Sequence, residues 1–476
     1  MRLVLLLHRY LGIAVGVLML MWCLSGIVMM YESYPSLDEG ARLKHLEPID
    51  WSGCCKLPPP AVLDTQSVSQ IQVEMLAGHP VLTFGRGSTF RSIDMLTGSL
   101  LGGVSTAQAM SAAVRFGPAG PSLLGLIDHD QWTVGGEYES QRPLYRFAAG
   151  DEARSDIYVS GITGRVVQIT TAHQRFWNWI GSVPHWLYFT QLRRHAVLWS
   201  QVVIYTSLLG CFLVGVGLYL GAYQLAVQPR GSWSPYGGFN RWHHLVGLIF
   251  GIFALSWVLS GLLSMNPWGW LEGAGAQAEN SRLRGTVQPD ATALTTVLRA
   301  LSDARPTDIV SIKGAPMGGR LYFIATMASG ERRRLDAAGL PAPLTGADLM
   351  FVAKILDSSG ASSAPQLMTE NDDFYFNHHS AAVALPVYRV VDGVSGTRYY
   401  LDPVSGMILA KIDRSAQAYR WLHEGMHRLD FAAALRDRPQ WDLIMLLLMT
   451  GVTAVCGTGA YLGCRHVARL LRSSRS

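Results

Sequence analysis

HRYLGIAVGVLMLMWCLSGIVMM, His8–Met30, opens on a histidine and then runs apolar for long enough to cross a bilayer. It returns 235 residues later as HHLVGLIFGIFALSWVLSGLLSM, His243–Met265. The two stretches are identical at nine of 23 positions: His8/His243, Gly12/Gly247, Gly16/Gly251, Leu20/Leu255, Trp22/Trp257, Leu24/Leu259, Ser25/Ser260, Gly26/Gly261 and Met30/Met265. Lipid contact asks only for apolar character. A repeat that also keeps a histidine, a tryptophan and a Ser-Gly pair is holding something more.

The chain around it has 476 residues, 49% hydrophobic and 15% charged, against about 25% charged in ordinary soluble domains. Four windows meet the roughly 20-residue requirement for a spanning helix, at about 8–31, 196–222, 243–266 and 441–463. The expected organisation is a first span within 1–31, an outer segment 32–195, a span 196–222, a short loop 223–242, a span 243–266, a second outer segment 267–440, a span 441–463 and a tail 464–476. The first window is too long, and too poor in a following small-residue cleavage site, for a signal peptide, so it is expected to stay attached. Arginines mark Arg2 and Arg9, Arg230 and Arg241, and Arg465, Arg469, Arg472 and Arg475, with no acidic residue in those pieces. By the positive-inside rule both termini and the short loop are cytoplasmic. Arg193, Arg194, Arg428, Arg436 and Arg438 stand at outer ends and run against this, although long translocated segments are largely exempt. The net charge of +5 therefore reads as a topology signal, with nothing pointing to nucleic acid.

The duplication extends beyond the first span. Tyr158–Gly221 matches Tyr400–Gly463 without a gap at a shift of 242, pairing Trp179 with Trp421, His185 with His427, Trp199 with Trp441, and VGVGLYLG with CGTGAYLG. Upstream the shift reads as 243, pairing Asp130 with Asp373, Trp132 with Tyr375 and Arg146 with Arg389. Self-similarity over this length concerns the whole fold. A smaller unit recurs in the outer segments as RSIDMLTG, DIYVSGITG, RRLDAAG and YYLDPVSG, closing on Gly98, Gly164, Gly339 and Gly406. Each predicts a β-hairpin whose glycine supplies positive φ. STAQAMSAAVRF, ATALTTVLRAL and GADLMFVAKIL predict short helices. Two small α+β modules per outer segment are expected.

The histidines gather at two depths. His8, His243, His244 and His466 lie at the cytoplasmic ends of spans; His173, His185, His195, His423 and His427 lie outside the outer ends. A single such histidine is more often an interfacial anchor. Pairing changes that balance, because His8/His243 and His185/His427 occupy equivalent places and two-fold packing could bring each pair face to face. Two opposed imidazoles on neighbouring helices are what an axial haem site requires. Gly12, Gly16, Gly247 and Gly251 either pack helices closely or leave room for a flat macrocycle. His423-Glu424-Gly-Met-His427 satisfies HExxH, but the other half keeps only His185 and a glycine interrupts the motif, so zinc peptidase chemistry is a weak reading. Cys23, Cys211, Cys456 and Cys464 fall in or beside spans as apolar filler. Cys54 and Cys55, adjacent and outside, are a candidate vicinal disulfide or an incidental pair. DHDQW (Asp128–Trp132) and NDDFYFNHHS (Asn371–Ser380) cluster acids and aromatics that exposed turns explain, with docking of a metal chelate as the minority reading.

HRYLG and HHLVG opening spans, W-x-L-S-G further in, Asp130-Gln-Trp132 with Pro143-Leu-Tyr-Arg146, the DxxTG-like hairpins and Trp179 to His185 leading into a span together make the chain resemble the PepSY-associated transmembrane helix family over nearly its whole length. That resemblance implies a bacterial inner-membrane protein with four helices in two tandem repeats and periplasmic α+β domains of PepSY-like modules. It implies a b-type haem near each face and electron transfer outward to a ferric siderophore or similar chelate. Carried over by position, it places His8 and His243 at the inner haem and His185 and His427 at the outer one, with His195, His423, His244 and His466 as substitutes. PepSY modules also resemble a domain linked to peptidase inhibition and extracytoplasmic sensing, so a non-catalytic membrane-anchored sensor or inhibitor is the rival. No GxGxxG opens a strand-helix unit on the cytoplasmic side, and the sequence names no electron donor.

Overall fold

Long apolar runs without internal proline dictate the first feature of the structure, a computed structural model that describes residues 1–56, 70–86, 89–117, 120–229, 233–285, 291–304, 306–360, 364–376 and 383–473. Arg230, Arg475 and the last four residues of NDDFYFNHHS lie outside the described residues. The helices that matter here are α1 (Arg2–Met29), α2 (Thr106–Phe116), α3 (Ala172–Ile180), α4 (Ser182–His185), α5 (Ala196–Ala226), α6 (Gly238–Ser264), α7 (Ala291–Ala304), α8 (Gly346–Leu356), α9 (Arg414–Tyr419) and α10 (Gln440–Ser473). Four of them, α1, α5, α6 and α10, are long and apolar enough to cross a membrane. They pack as one bundle, and apolar side chains such as Val17, Tyr205, Ile249 and Leu447 point away from it, each at least 60% exposed. Such a surface is compatible with an apolar solvent.

The spans run longer than the hydropathy windows. α6 begins five residues before His243, and α10 continues through most of the expected tail to Ser473. At 1.5 Å per residue the 34 residues of α10 reach about 51 Å, well past a hydrocarbon core of about 30 Å. The tail is therefore a helical extension, because RHVARLLRS keeps helix-favouring residues after the apolar run ends.

At the end of the bundle carrying Met30 and Ala196 the chain builds three antiparallel sheets. One contains β5 (Ser122–Ile127), β6 (Leu144–Ala148), β7 (Asp156–Ser160) and β8 (Val166–Thr170); another contains β12 (Gln366–Met368), β13 (Val387–Val391), β14 (Arg398–Leu401) and β15 (Ile408–Ile412). The third has seven strands: β1 (Gln70–Leu76), β2 (His79–Arg86), β3 (Thr89–Asp94) and β4 (Leu100–Leu101) on one side, and β9 (Ile309–Gly314), β10 (Phe323–Met327) and β11 (Arg332–Leu335) on the other. The expected hairpin glycines, Gly98, Gly164, Gly339 and Gly406, all have φ between 73° and 78°. The expected helices form as α2, α7 and α8; Ser105 with Gln108 and Thr345 with Asp348 make capping boxes at α2 and α8.

The outer segments 32–195 and 267–440 share one sheet, because β1 pairs with β9, Val73 opposite Ile312 and Gln72 opposite Lys313. A single core beneath that sheet takes Val73, Leu82 and Ile93 from the first segment and Leu298, Ile312 and Phe323 from the second. Each three- or four-stranded piece alone would expose an edge, and joining them removes one edge from each.

Candidate functional site

The four histidines singled out by the repeat come together in two pairs. His8 on α1 and His243 on α6 have ring centroids 6.2 Å apart, and His185 and His427 have centroids 6.1 Å apart. An imidazole–metal bond is about 2.0–2.1 Å and the ring centre lies about 1 Å beyond the nitrogen, so imidazoles on opposite sides of one metal have centroids about 6 Å apart. Both pairs have that spacing. The rings are tilted by 34° in the first pair and 73° in the second.

Hydrogen bonds fix which nitrogen each ring presents. His8 Nδ1 lies 3.3 Å from the Leu213 carbonyl, which only accepts, so Nδ1–H donates. Thr458 donates its hydroxyl hydrogen to the Ala454 and Val455 carbonyls, leaving its Oγ1 to accept from His243 Nδ1–H at 3.1 Å. Ser25 donates to the Met21 and Trp22 carbonyls and accepts from His185 Nδ1–H at 3.1 Å. Ser260 donates to the Trp257 carbonyl and accepts from His427 Nδ1–H at 3.0 Å. All four imidazoles thus keep Nε2 as the basic nitrogen, the tautomer a metal ligand needs, held by partners of the kind that orient metal-bound histidines. The serine of the repeated Ser-Gly pair is the outer histidine's acceptor, which answers why the spans keep it.

Glycines make room for the rings. A Cβ at Gly217 would stand 2.7 Å from His8 Cε1, and one at Gly459 would stand 3.0 Å from His243 Cε1. These are equivalent positions in VGVGLYLG and CGTGAYLG. A Cβ at Gly26 would meet His185 Cε1 at 3.4 Å and one at Gly261 would meet His427 Cε1 at 3.8 Å. Beside His8 and His243 lies a cavity of about 540 Å³, lined also by Gly12, Gly16, Gly247 and Gly251, and within the 300–1,000 Å³ usual for cofactor pockets. Gly16 and Gly247 face open space, so the room reading holds there, whereas Gly251 packs against Leu218. Arg9, Arg465 and Arg469 line the same cavity and no carboxylate does.

The outer pair is set by two matching turns. After His185 the chain reverses at Leu187 (φ 52°) and after His427 at Leu429 (φ 57°), both left-handed. Trp199 Nε1 donates to the Trp186 carbonyl and Trp441 Nε1 to the Arg428 carbonyl, clasping each turn to the span that follows. The halves differ at Arg420–Gly425, a π-helical turn that brings a third imidazole, His423, to 5.3 Å from His427 between ring centroids. Its Nδ1–H donates to the Ser260 carbonyl at 3.1 Å. Such turns recur at functional sites. Among the described residues no group of three or more His, Cys, Asp or Glu is placed around a common point for a metal ion.

The other three substitutes join neither pair. His244 is buried with Nδ1 on Ser234 Oγ and Nε2 on the Gly221 carbonyl, both nitrogens committed. His195 Nε2 accepts from Arg194 Nε. His466 lines the inner cavity without joining the pair. Cys54 and Cys55 are joined as a disulfide.

The acidic-aromatic loops need correction. Asp130 accepts from the Tyr158 hydroxyl at 2.7 Å and Asp372 accepts from the Tyr400 hydroxyl at 2.7 Å. Trp132 meets Trp179, and Phe374 meets Trp421, edge to face at 6.3 Å in each case. Asp372 and Phe374, not Asp373 and Tyr375, are therefore the counterparts of Asp130 and Trp132, and the extra residue enters between there and Arg389. Trp132 and Tyr375 are 4% and 8% exposed, packed in their own module cores rather than offered to a chelate. Burial pulls the Asp372 carboxyl upward, but hydrogen bonds from Tyr400, the Phe374 and Tyr375 amides and Arg389 outweigh it and hold the group below its ordinary range.

Among known proteins, no family model matches the chain and no curated protein matches it. The two imidazole pairs are left to speak through their own chemistry.

Proposed function

We propose that the chain spans a bacterial inner membrane four times, with both termini in the cytoplasm and the sheets in the periplasm, as a tandem repeat with PepSY-like modules. In this reading it binds two b-type haems and passes electrons outward to a ferric chelate such as a ferrisiderophore. The observation that carries the reading is the recurrence, at opposite ends of one bundle, of two imidazole pairs with equal spacing and the same free nitrogen.

The residues suit the group. The inner cavity is apolar along its glycine-lined walls and cationic where Arg9, Arg465 and Arg469 line it, which matches a flat macrocycle bearing carboxylates. Trp22, whose backbone carbonyl lies 3.1 Å from His185 Nδ1, also has a buried indole N–H without a partner. His8 and His243 would hold one haem, His185 and His427 the other. Haem bound there would supply a one-electron couple, whose potential these histidines and their hydrogen-bond partners would tune.

The protein's part is to orient, insulate and separate. Ser25, Ser260, Thr458 and the Leu213 carbonyl set the imidazoles. His8 and Ser25 lie on one helix 17 residues apart, about 25 Å at 1.5 Å per residue, so the sites sit near opposite faces of a bilayer. The space between is filled by the apolar side chains of Cys23, Ala254, Met449 and Val452 with Phe250, Phe253 and Trp257. Ferric iron is held by hard oxygen donors far more tightly than ferrous iron, so an electron delivered outside loosens it from its chelate.

A visible absorption spectrum of the purified protein tests the cofactor. Replacing His185 with alanine is expected to remove about half the haem and leave the inner centre reducible. Unchanged haem in that variant and in the His185→Ala/His427→Ala double variant would overturn the ligand assignment. Adding ferric siderophores to chemically reduced protein is expected to reoxidise the haem while a ferrous-specific chelator colours in step. Haem that stays reduced with every chelate, in a protein that binds a periplasmic peptidase, would favour the sensor or inhibitor instead.

A further inference from the structure

Cys23 of α1, two residues from Ser25, and Cys456 of α10, two residues from Thr458, bring their sulfurs to 3.8 Å. Both belong to the apolar cluster at the centre of the bundle, and Cys456 also lines the inner cavity. The residue 235 positions after Cys23 is Val258, and the residue 242 positions before Cys456 is Val214. Valine therefore suffices at the corresponding places. A thiol facing a thiol adds chemistry that volume does not require.

We propose that Cys23 and Cys456 form a redox-active dithiol that closes into a disulfide joining the first and last spans. A disulfide is about 2.05 Å long, so starting from 3.8 Å the sulfurs close by under about 2 Å, within the reach of side-chain rotation and small backbone shifts. Two S–H bonds break, one S–S bond forms, and two protons and two electrons pass to the oxidant. The oxidant is a small two-electron acceptor of the quinone or azo class, which takes both hydrogens and reaches the pair through the cavity that Cys456 lines. α1 carries His8 and Ser25, and α10 carries Thr458 and Gly459, which seat His243. The bond would thus clamp the helices that shape both sites. This stands on the thiol contact alone and holds whichever cofactor the histidines bind.

The test uses the full chain in lipid nanodiscs, treated either with diamide, whose N=N bond takes up two hydrogens, or with a phosphine reductant. Thiols are then alkylated during acid-quenched unfolding and peptides are read by mass spectrometry. A Cys23–Cys456 linked pair after diamide, absent after phosphine, is the expected result, together with a raised melting temperature because the bond closes a very long loop. Cys23→Val and Cys456→Val, each introducing the residue found at the corresponding position, are expected to abolish the linked pair and the thermal gain. Alkylation of both sulfurs after diamide, while exposed Cys464 is consumed, would overturn the proposal. So would pairing of either with Cys211 or Cys464.

Discussion

Each imidazole of the two pairs gives its Nδ1 proton to a side-chain or backbone oxygen, and the acceptors differ in how far they can be removed. Thr458→Val keeps the shape and introduces the residue found at position 216 in the first half. It deletes the oxygen that His243 leans on. Losing such an outer partner typically costs about 10–100-fold in metal affinity. The variant is expected to lose haem from the inner site by that factor while the outer site is unchanged, read by haem titration with the two centres resolved spectroscopically. Gly217→Ala and Gly459→Ala probe the opposite face of the same rings. With a Cβ 2.7 Å from His8 Cε1 or 3.0 Å from His243 Cε1, the ring must move, and the inner absorption band is expected to fall more in Gly217→Ala. The four histidines, the Ser-Gly pair and the VGVGLYLG repeat were legible in the sequence because the duplication marked them. The Leu213 carbonyl was not, since a backbone acceptor carries no side-chain signature. Thr458 was hidden because only one half has it.

Between the spans, helices and hairpins were readable from period and turn chemistry, but their partners were not. A salt-bridged cluster shows why. Arg42 is buried between Glu39 and Glu74, Arg165 approaches both carboxylates, and Lys313 of β9 reaches Glu39 at 2.6 Å. No local pattern foretells a contact between residues 39 and 313. Burial alone would raise the Glu39 carboxyl, but the Arg42 hydrogen bond and charge, with Lys313, hold it down to about 2 from an ordinary 4.5. A carboxyl depressed in the folded state contributes stability above its unfolded value and loses it as pH falls through the folded one. The denaturant midpoint is therefore expected to drop between pH 4.5 and about 2. Glu39→Gln should start lower and lose less across that window, followed by tryptophan fluorescence, to which Trp51 in the core beneath the seven-stranded sheet contributes. Equal slopes in both proteins would show that this cluster does not govern acid unfolding. The π-helical turn at Arg420–Gly425 was equally unreadable, because HExxH spacing in the sequence does not say which helix type carries it.

Taken together, four long apolar helices could be read directly from hydropathy, whereas the sheet shared by the two outer segments could not. Val73 and Ile312 meet across 239 residues of chain, and an edge strand's choice of partner leaves no mark in its own sequence. A chain ended after residue 266 removes β9 to β15 and is expected to leave β1 and its apolar core face open. Limited proteolysis should then cut within 70–101, where the full chain resists. Resistance in the shortened chain would show that the first segment folds alone.

The β1–β9 pairing also sets a schedule. A ribosome adding about 5–20 residues per second leaves from about 12 to about 48 s between the emergence of Val73 and that of Ile312. For that interval the newborn first half carries a strand whose neighbour has not yet been made. Its safety then rests on a transient guardian or on speed of translation, so slowing elongation before codon 309 should lower the yield of intact protein more than slowing it after codon 412.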